Sequence, residues 1–247
     1  MAGTKKPSPV EVFEANLSDA ERLIAFSRAL TNTRKRRMRK ELRESVGTAI
    51  GTAKGRRADL DCVESDDVFV VLKPGGSVNR THFAEPALRP LLRQAVVAVS
   101  AAVESYVAEK AKACIGTAWK DLPERLKSVQ IELGDVLEIE ARYKRTKWGY
   151  RELLENYLEQ EASPDPAKIG IVFSTVGKKE VLKQVDSHRG VPKGRSADQL
   201  RALYHRRNRI AHAGDRKGHG RAALSLREVE QFSANARAIV EALEATL

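Results

Sequence analysis

The side chains best suited to chemistry lie in one stretch, Leu200–His212, which reads Leu-Arg-Ala-Leu-Tyr-His-Arg-Arg-Asn-Arg-Ile-Ala-His. On a helical wheel at about 100° per residue, Leu200, Leu203, Tyr204, Ile210 and Ala211 form an apolar stripe with Arg207 inside it. A guanidinium in such a stripe is costly unless it is paired or lines a cleft. Asn208 and His212 are four residues apart and share a face beside Arg207. His212 falls in the last helical turn, where the free carbonyls favour a positive group. An imidazole moves a proton near neutral pH, and a guanidinium is a permanently charged planar fork matched to phosphate. A carboxamide orients a neighbouring side chain or bonds a ribose or base. Offered a phosphodiester beside a 2′-hydroxyl, these groups suffice for RNA cleavage without a metal. The hydroxyl attacks phosphorus, the Arg steadies the charged phosphorane, and the His moves a proton. Arg201, Arg206 and Arg209 point elsewhere on the wheel and read as basic surface for RNA contact. His82, His188 and His219 sit in expected loops and His205 on the polar face.

The motif must be held by its own helix and by neighbours. Ser196, with Gln199 three residues later, is the expected N-cap, and Gly214 supplies a left-handed stop. Ser225 and Glu228 open a last helix whose stripe is Leu226, Val229, Phe232, Ala236, Ile239, Val240 and Leu243. The clearest long helix covers 88–115, apolar nearly all round from Ala95 to Val103 and therefore central. Glu104 follows directly, either as a surface carboxylate or as an acid facing an active cleft. Ser8 with Glu11, and Ser18 with Glu21, are capping boxes, so residues 9–31 read as one broken helix or two short ones. Val68–Leu72 followed by Lys73-Pro74-Gly75-Gly76 reads as a strand and turn. Residues 148–161 are helical, Ser163–Pro166 is a break, residues 168–186 fit helix or strand, and Ser187–Arg195 is a loop.

The 247 residues carry a formal net charge of +11, which suits a polyanionic partner. The charge has addresses. Residues 34–57 hold ten basic and two acidic groups, and residues 201–221 hold seven and one, so the rest of the chain is slightly acidic. The first run is either a solvated helix face or mobile arm, or a nucleic-acid contact through Arg36 and Arg37. Aromatic residues are only 5%, too few for a base-stacking platform. Two cysteines, Cys62 and Cys114, exclude a disulfide framework and offer no zinc site. No metal or cofactor is expected. The opening residues lack a secretory apolar stretch, and Ala95–Val103 is too short to span a bilayer, so the expected setting is cytoplasmic and reduced, without a membrane.

Arg207-Asn208-Arg209-Ile210-Ala211-His212-Ala213-Gly214 resembles the R-x4-6-H signature of HEPN domains. Leu92–Val107 is similar to the first core helix of the RiboL-PSP-type HEPN group. The resemblance covers roughly 88–247. It implies an all-α fold: a HEPN-like helical bundle, here with an N-terminal helical, basic segment (1–60) and a small β-like insertion or linker (61–87). It also implies a metal-independent endoribonuclease that leaves 2′,3′-cyclic phosphate ends, acting as a toxin or antiviral defence effector. Such domains commonly dimerise so that two Arg/His motifs face one cleft, and an antitoxin or defence-system partner is in keeping. Arg207 and His212 would be catalytic, Asn208 would join them, and Glu104 would support. The Tyr that commonly follows the His by two in toxins paired with a nucleotidyltransferase is Gly214 here, which speaks against control by its modification. The competing expectation is a non-catalytic helical module that binds nucleic acid or a protein through its basic surface.

Overall fold

A computed structural model describes residues 6–118, 126, 129–143 and 146–247. Residues 1–5 of the expected N-terminal segment, and the stretch around Pro123, lie outside the described residues. The described residues are all-α, as the sequence predicts, with two small antiparallel sheets where the sequence predicts one β-like insertion. It divides into two compact units. The first comprises Met1–Ala20, Val96–Ala222 and Gln231–Leu247, and the second Glu21–Ala95 and Ala223–Glu230.

Helix α1 (Pro9–Thr31) is continuous. Its capping box forms at Ser8 and Glu11: the Glu11 N–H donates to Ser8 Oγ (3.2 Å) and the Ser8 N–H to the Glu11 carboxylate (2.6 Å). Ser18 caps nothing. Its hydroxyl donates back to the Ala15 carbonyl (2.7 Å), which lets the helix run through it. Helix α2 is Lys40–Ala49 and helix α3 is Glu85–Ala118. Residues 85–116 are long and apolar enough to cross a membrane by length and mean hydropathy (1.3), yet 61% of their apolar window is buried in the protein, as in a core helix. Then follow α4 (Leu133–Arg142), α5 (Thr146–Glu161), α6 (Pro166–Thr175) and α7 (Val181–His188). Residues 168–186, open between helix and strand in the sequence, are thus two short helices. Asp165 caps α6 by accepting the Ala167 N–H (3.0 Å), with Pro166 at the first helical position. Helices α8 (Arg195–Ala213) and α9 (Leu226–Thr246) close the chain.

In the first unit, buried Phe13 and Leu17 of α1 belong to the same core as Val99, Val103, Tyr106 and Val107 of α3, Leu154 and Leu158 of α5, Leu200 and Leu203 of α8, and Ile239, Val240 and Leu243 of α9. Phe13 meets Tyr106 edge to face at 6.2 Å. The Tyr106 hydroxyl donates to Glu244 (2.9 Å), and that bond answers the cost of burying a phenol. In the second unit, strands β1 (Arg34–Lys35), β2 (Asp61–Glu64) and β3 (Phe69–Leu72) form an antiparallel sheet in the order β1-β2-β3. The strand and turn expected from Val68–Gly76 are present. The basic run 34–57 is a folded strand, α2 and a 3-10 turn (Lys54–Asp59), not a mobile arm. Met38, Leu60 and Cys62 form its own apolar cluster, with Ile50 and Val71 against it.

One capping expectation is corrected. Ser196 does not cap α8; it is buried inside the first turn. The cap comes from Asp186 on α7, whose carboxylate accepts the N–H groups of Gly194 (2.6 Å) and Ser196 (2.9 Å). Gly194 sits at φ 88°, a conformation that glycine adopts without strain. Arg189 completes the junction by donating to Ser196 Oγ (2.7 Å) and Gln199 Oε1 (2.9 Å). A carboxylate at a helix N-terminus also opposes the positive end of the dipole. Burial pushes the Asp186 carboxyl up, but the Ser196 and Gly194 bonds and the Arg189 charge outweigh it, so Asp186 titrates below its ordinary value of 3.8. A lowered folded value means stability present above the unfolded value and lost as pH falls through the folded one. Asp186→Asn is therefore expected to destabilise the protein at neutral pH, with the gap to the parent closing on acidification towards about pH 3. Denaturant midpoints across that range measure it, and a gap that stays constant contradicts the assignment.

Candidate active site

Helix α8 positions the motif. Its buried face is Ser196, Leu200, Leu203 and Arg206. The buried arginine is thus Arg206, one position from the Arg207 that the wheel placed inside the stripe. The expectation of Arg206 as RNA-contacting surface is corrected: its side chain is 8% exposed and donates to Asp215, which is fully buried, at 2.9 Å. The reason lies past the helix. Gly214 (φ 57°) and Asp215 (φ 60°) both take left-handed conformations, which fold the chain back over the last turn. The Asp215 N–H donates to the Arg209 carbonyl (2.8 Å), and the Asp215 carbonyl accepts from Ala222 (2.7 Å). Between them runs an exposed hairpin, β4 (Arg216–Lys217) and β5 (Gly220–Arg221). Asp215 thereby ties together the arginine one helix face requires, the helix end, and the base of the hairpin. Ala211, expected on the stripe, is exposed, because the helix outruns its buried neighbours there.

Arg207 is half-buried and donates to Asn208 Oδ1 (3.1 Å). It lines an open cleft of about 550 Å³ in the first unit, together with Glu104, Ser105, Glu109, Glu159 and Lys6. Glu104 is therefore the cleft-facing acid of the two alternatives. The other two carboxylates are occupied. Lys112 donates to Glu109 (3.2 Å) and Glu159 (2.8 Å), and Lys6 pairs with Glu109 (3.0 Å). Burial raises the Glu109 carboxyl, but the bonds from Lys6 and Lys112 prevail and hold it below the usual carboxylate range. Among the described residues, Arg207 and Glu104 make no ion pair with a side chain. The cleft thus offers one uncommitted guanidinium and one uncommitted carboxylate. Sequence reading missed Lys6, Glu109, Lys112 and Glu159, since no spacing relates three separate helices or segments.

His212 is exposed in the last turn of α8, five residues and about 7.5 Å of helix rise beyond Arg207. It is not part of the cleft lining. Asn208, half-buried, is brought to Arg207 by its hydrogen bond. Arg201 is half-exposed and pairs with Asp198 (2.6 Å), and Arg209 is half-exposed 3.8 Å from Asp215. Both remain on the surface, as expected. In the second unit Arg36 pairs with Glu64 (2.5 Å), and Arg37 is exposed. No group of three or more His, Cys, Asp or Glu among the described residues is placed to hold a metal ion.

The profile of the RiboL-PSP-HEPN family matches residues 76–247. The chain belongs to this HEPN-domain family. The matched region contains all of α3 to α9, and hence Glu104, the Arg207–His212 motif and the Asp215 turn. No curated protein and no solved structure matches the chain. Membership in this family points to an RNA-related, nuclease type of function and agrees with the all-α fold.

In this HEPN chain the Arg206–Asp215 pair holds the end of the motif helix. Asp215→Asn tolerates the left-handed backbone but removes the carboxylate to which the buried Arg206 guanidinium donates, at an expected cost of about 3–5 kcal/mol. Urea unfolding measures it. Combining it with Arg206→Met is expected to recover part of that loss; strict additivity of the two substitutions would show that the pair is not coupled.

Proposed function

We propose that this HEPN protein is an endoribonuclease that cleaves RNA by attack of the 2′-hydroxyl on the adjacent phosphorus, without a metal. The observation that carries the reading is Arg207: half-buried on α8, held by Asn208, paired with no carboxylate among the described residues and facing a cleft, about one and a half turns before an exposed His212. Burying part of a guanidinium without an ionic partner costs stability; a phosphate is the ligand that its planar fork fits.

In the reaction the 2′-oxygen forms a bond to phosphorus as its proton leaves to a base, and the bond from phosphorus to the 5′-oxygen breaks as that oxygen gains a proton. The products are a 2′,3′-cyclic phosphate and a free 5′-hydroxyl. His212 moves a proton at one of these oxygens. Arg207 binds the non-bridging oxygens and meets the charge that grows on them. Asn208 keeps the guanidinium oriented, and Glu104 lies where it can fix the substrate or the Arg. Because His212 stands outside the cleft lining of one chain, a homodimer that brings a second copy of the motif to the site is part of the proposal. A toxin or defence-effector role, under control of an antitoxin or defence-system partner, is the biological setting that suits such an activity.

Cleavage of total RNA and of a defined oligonucleotide in EDTA tests the chemistry. His212→Ala is expected to lower the rate about 10²–10⁴-fold. Arg207→Ala is expected to be similarly impaired, with Arg207→Lys recovering little because the fork is lost. Products should carry 2′,3′-cyclic ends. Equal cleavage by parent and His212→Ala removes the mechanism. Over a dilution series, specific activity should fall as dimer dissociates; an activity independent of concentration, in a chain shown monomeric by sedimentation, removes the composite site. A complete lack of products with salt-sensitive RNA binding retained would favour the non-catalytic module.

A further inference from the structure

The residues ahead of the family-matched region build a second basic site. Residues 34–72, all before residue 76, contain the three-stranded sheet, α2 and a self-contained apolar cluster. Against that sheet lies an open cleft of about 480 Å³ lined by Lys35, Arg36, Arg37, Arg43, Asp59 and Asp61. Its charges are not equivalent. Arg36 is committed to Glu64 (2.5 Å), Asp61 to Arg80 (3.1 Å), and Arg43 reaches the Ala58 carbonyl (3.3 Å). Lys35 and Arg37, two residues apart on the edge strand and its continuation, are exposed and pair with no carboxylate among the described residues. The committed ion pairs fix the walls, and the two uncommitted cations face solvent.

We infer that this cleft docks the sugar–phosphate backbone of single-stranded RNA, as a binding site separate from the Arg207–His212 motif. The choice of RNA rests on the ribonuclease reading; the polyanion specificity rests on the cleft. Its lining holds no aromatic side chain, so bases have nothing to stack on and recognition falls on phosphates, independent of sequence. Six of the nine lining residues are charged, and of the three apolar ones Met38 and Leu60 are buried in the cluster beneath, so a helix or strand of a protein partner, which is held through apolar contacts, finds little to bind here. A backbone anchor on the same chain as a cleavage motif raises the local concentration of substrate without adding to the chemical step.

The test uses the full chain carrying His212→Ala, which reads binding without turnover. A labelled uridine homopolymer of about twenty nucleotides is titrated by fluorescence anisotropy across a salt series. Removing two single-strand phosphate contacts with Lys35→Ala/Arg37→Ala is expected to make the negative slope of log K against log salt shallower by about 1.4, which is about 25-fold in affinity at 0.1 M salt. Lys193→Ala/Arg227→Ala, which removes the same formal charge from exposed positions elsewhere, should move neither. An unchanged slope in the Lys35/Arg37 variant overturns the site, as does an equal loss in the control. Polyglutamate displacing the homopolymer at equal charge concentration also overturns it, because the cleft would then serve acidic polypeptides. Cleavage is read separately in the parent chain. An inactive parent whose binding still depends on Lys35 and Arg37 removes the ribonuclease reading and keeps the docking site; an active parent whose binding ignores them does the reverse.

Discussion

A single carboxylate, Asp215, organises the end of the motif helix. It has no exposure to solvent, and it faces a guanidinium that is itself nearly buried. Neither charge is affordable alone in that setting, so each fixes the other's position. The backbone of the same residue accepts from Ala222 and donates to Arg209, which closes the helix and anchors the hairpin. Every side chain of the motif lies within nine residues of this lock. Arg207 leaves the helix on the flank of the buried Arg206, and His212 sits just before the left-handed turn. The geometry of the candidate site is therefore a consequence of an interaction that takes no part in the chemistry.

The other end of α8 is held by a similar device. Asp186 stands in for a local cap, reaching from the preceding helix to the N–H groups of Gly194 and Ser196. With a carboxylate at each end, the helix is fixed in register along its full length, and the half-buried Arg207 can be carried on its flank. The lysines around Glu109 and Glu159 act on the cleft in the same spirit. They neutralise two of its three acids, so the field at Arg207 is not dominated by carboxylates. That arrangement leaves the cleft less repulsive to an anion than its three carboxylates alone would make it.

Several features were legible from residue types alone. The continuous apolar faces of α3 and α9 marked them as core helices, because burial on one or all sides leaves a 3.6-residue pattern. The Ser8/Glu11 and Ser225 caps form as read, with Glu228 donating to Ser225 Oγ (3.2 Å). The Val68–Gly76 strand and turn also form. Local rules sufficed there because all partners lie within a few residues. The Ser196 cap failed because a competing acceptor, ten residues back in sequence, reaches the same N–H group. The choice between helix and strand over residues 168–186 is left open by its apolar content; the structure resolves it as two short helices, divided at Gly177 with φ 90°.

By itself the sequence determined the all-α class, the resemblance to HEPN domains and the neighbourhood of Arg207, Asn208 and His212, since these depend on periodicity and on a short contiguous motif. Tertiary structure decided which of two adjacent arginines is buried, that Glu104 faces the cleft, and that the basic run 34–57 is folded, with Lys35 and Arg37 lining a cleft and unpaired with any carboxylate among the described residues. On the wheel Arg207 lies inside the apolar stripe, and Arg206, about 100° away, lies just outside it beside Ile210. What buries Arg206 instead is Asp215, a partner beyond the helix whose position depends on a backbone turn, and no pattern along the helix could reveal where that turn would place it.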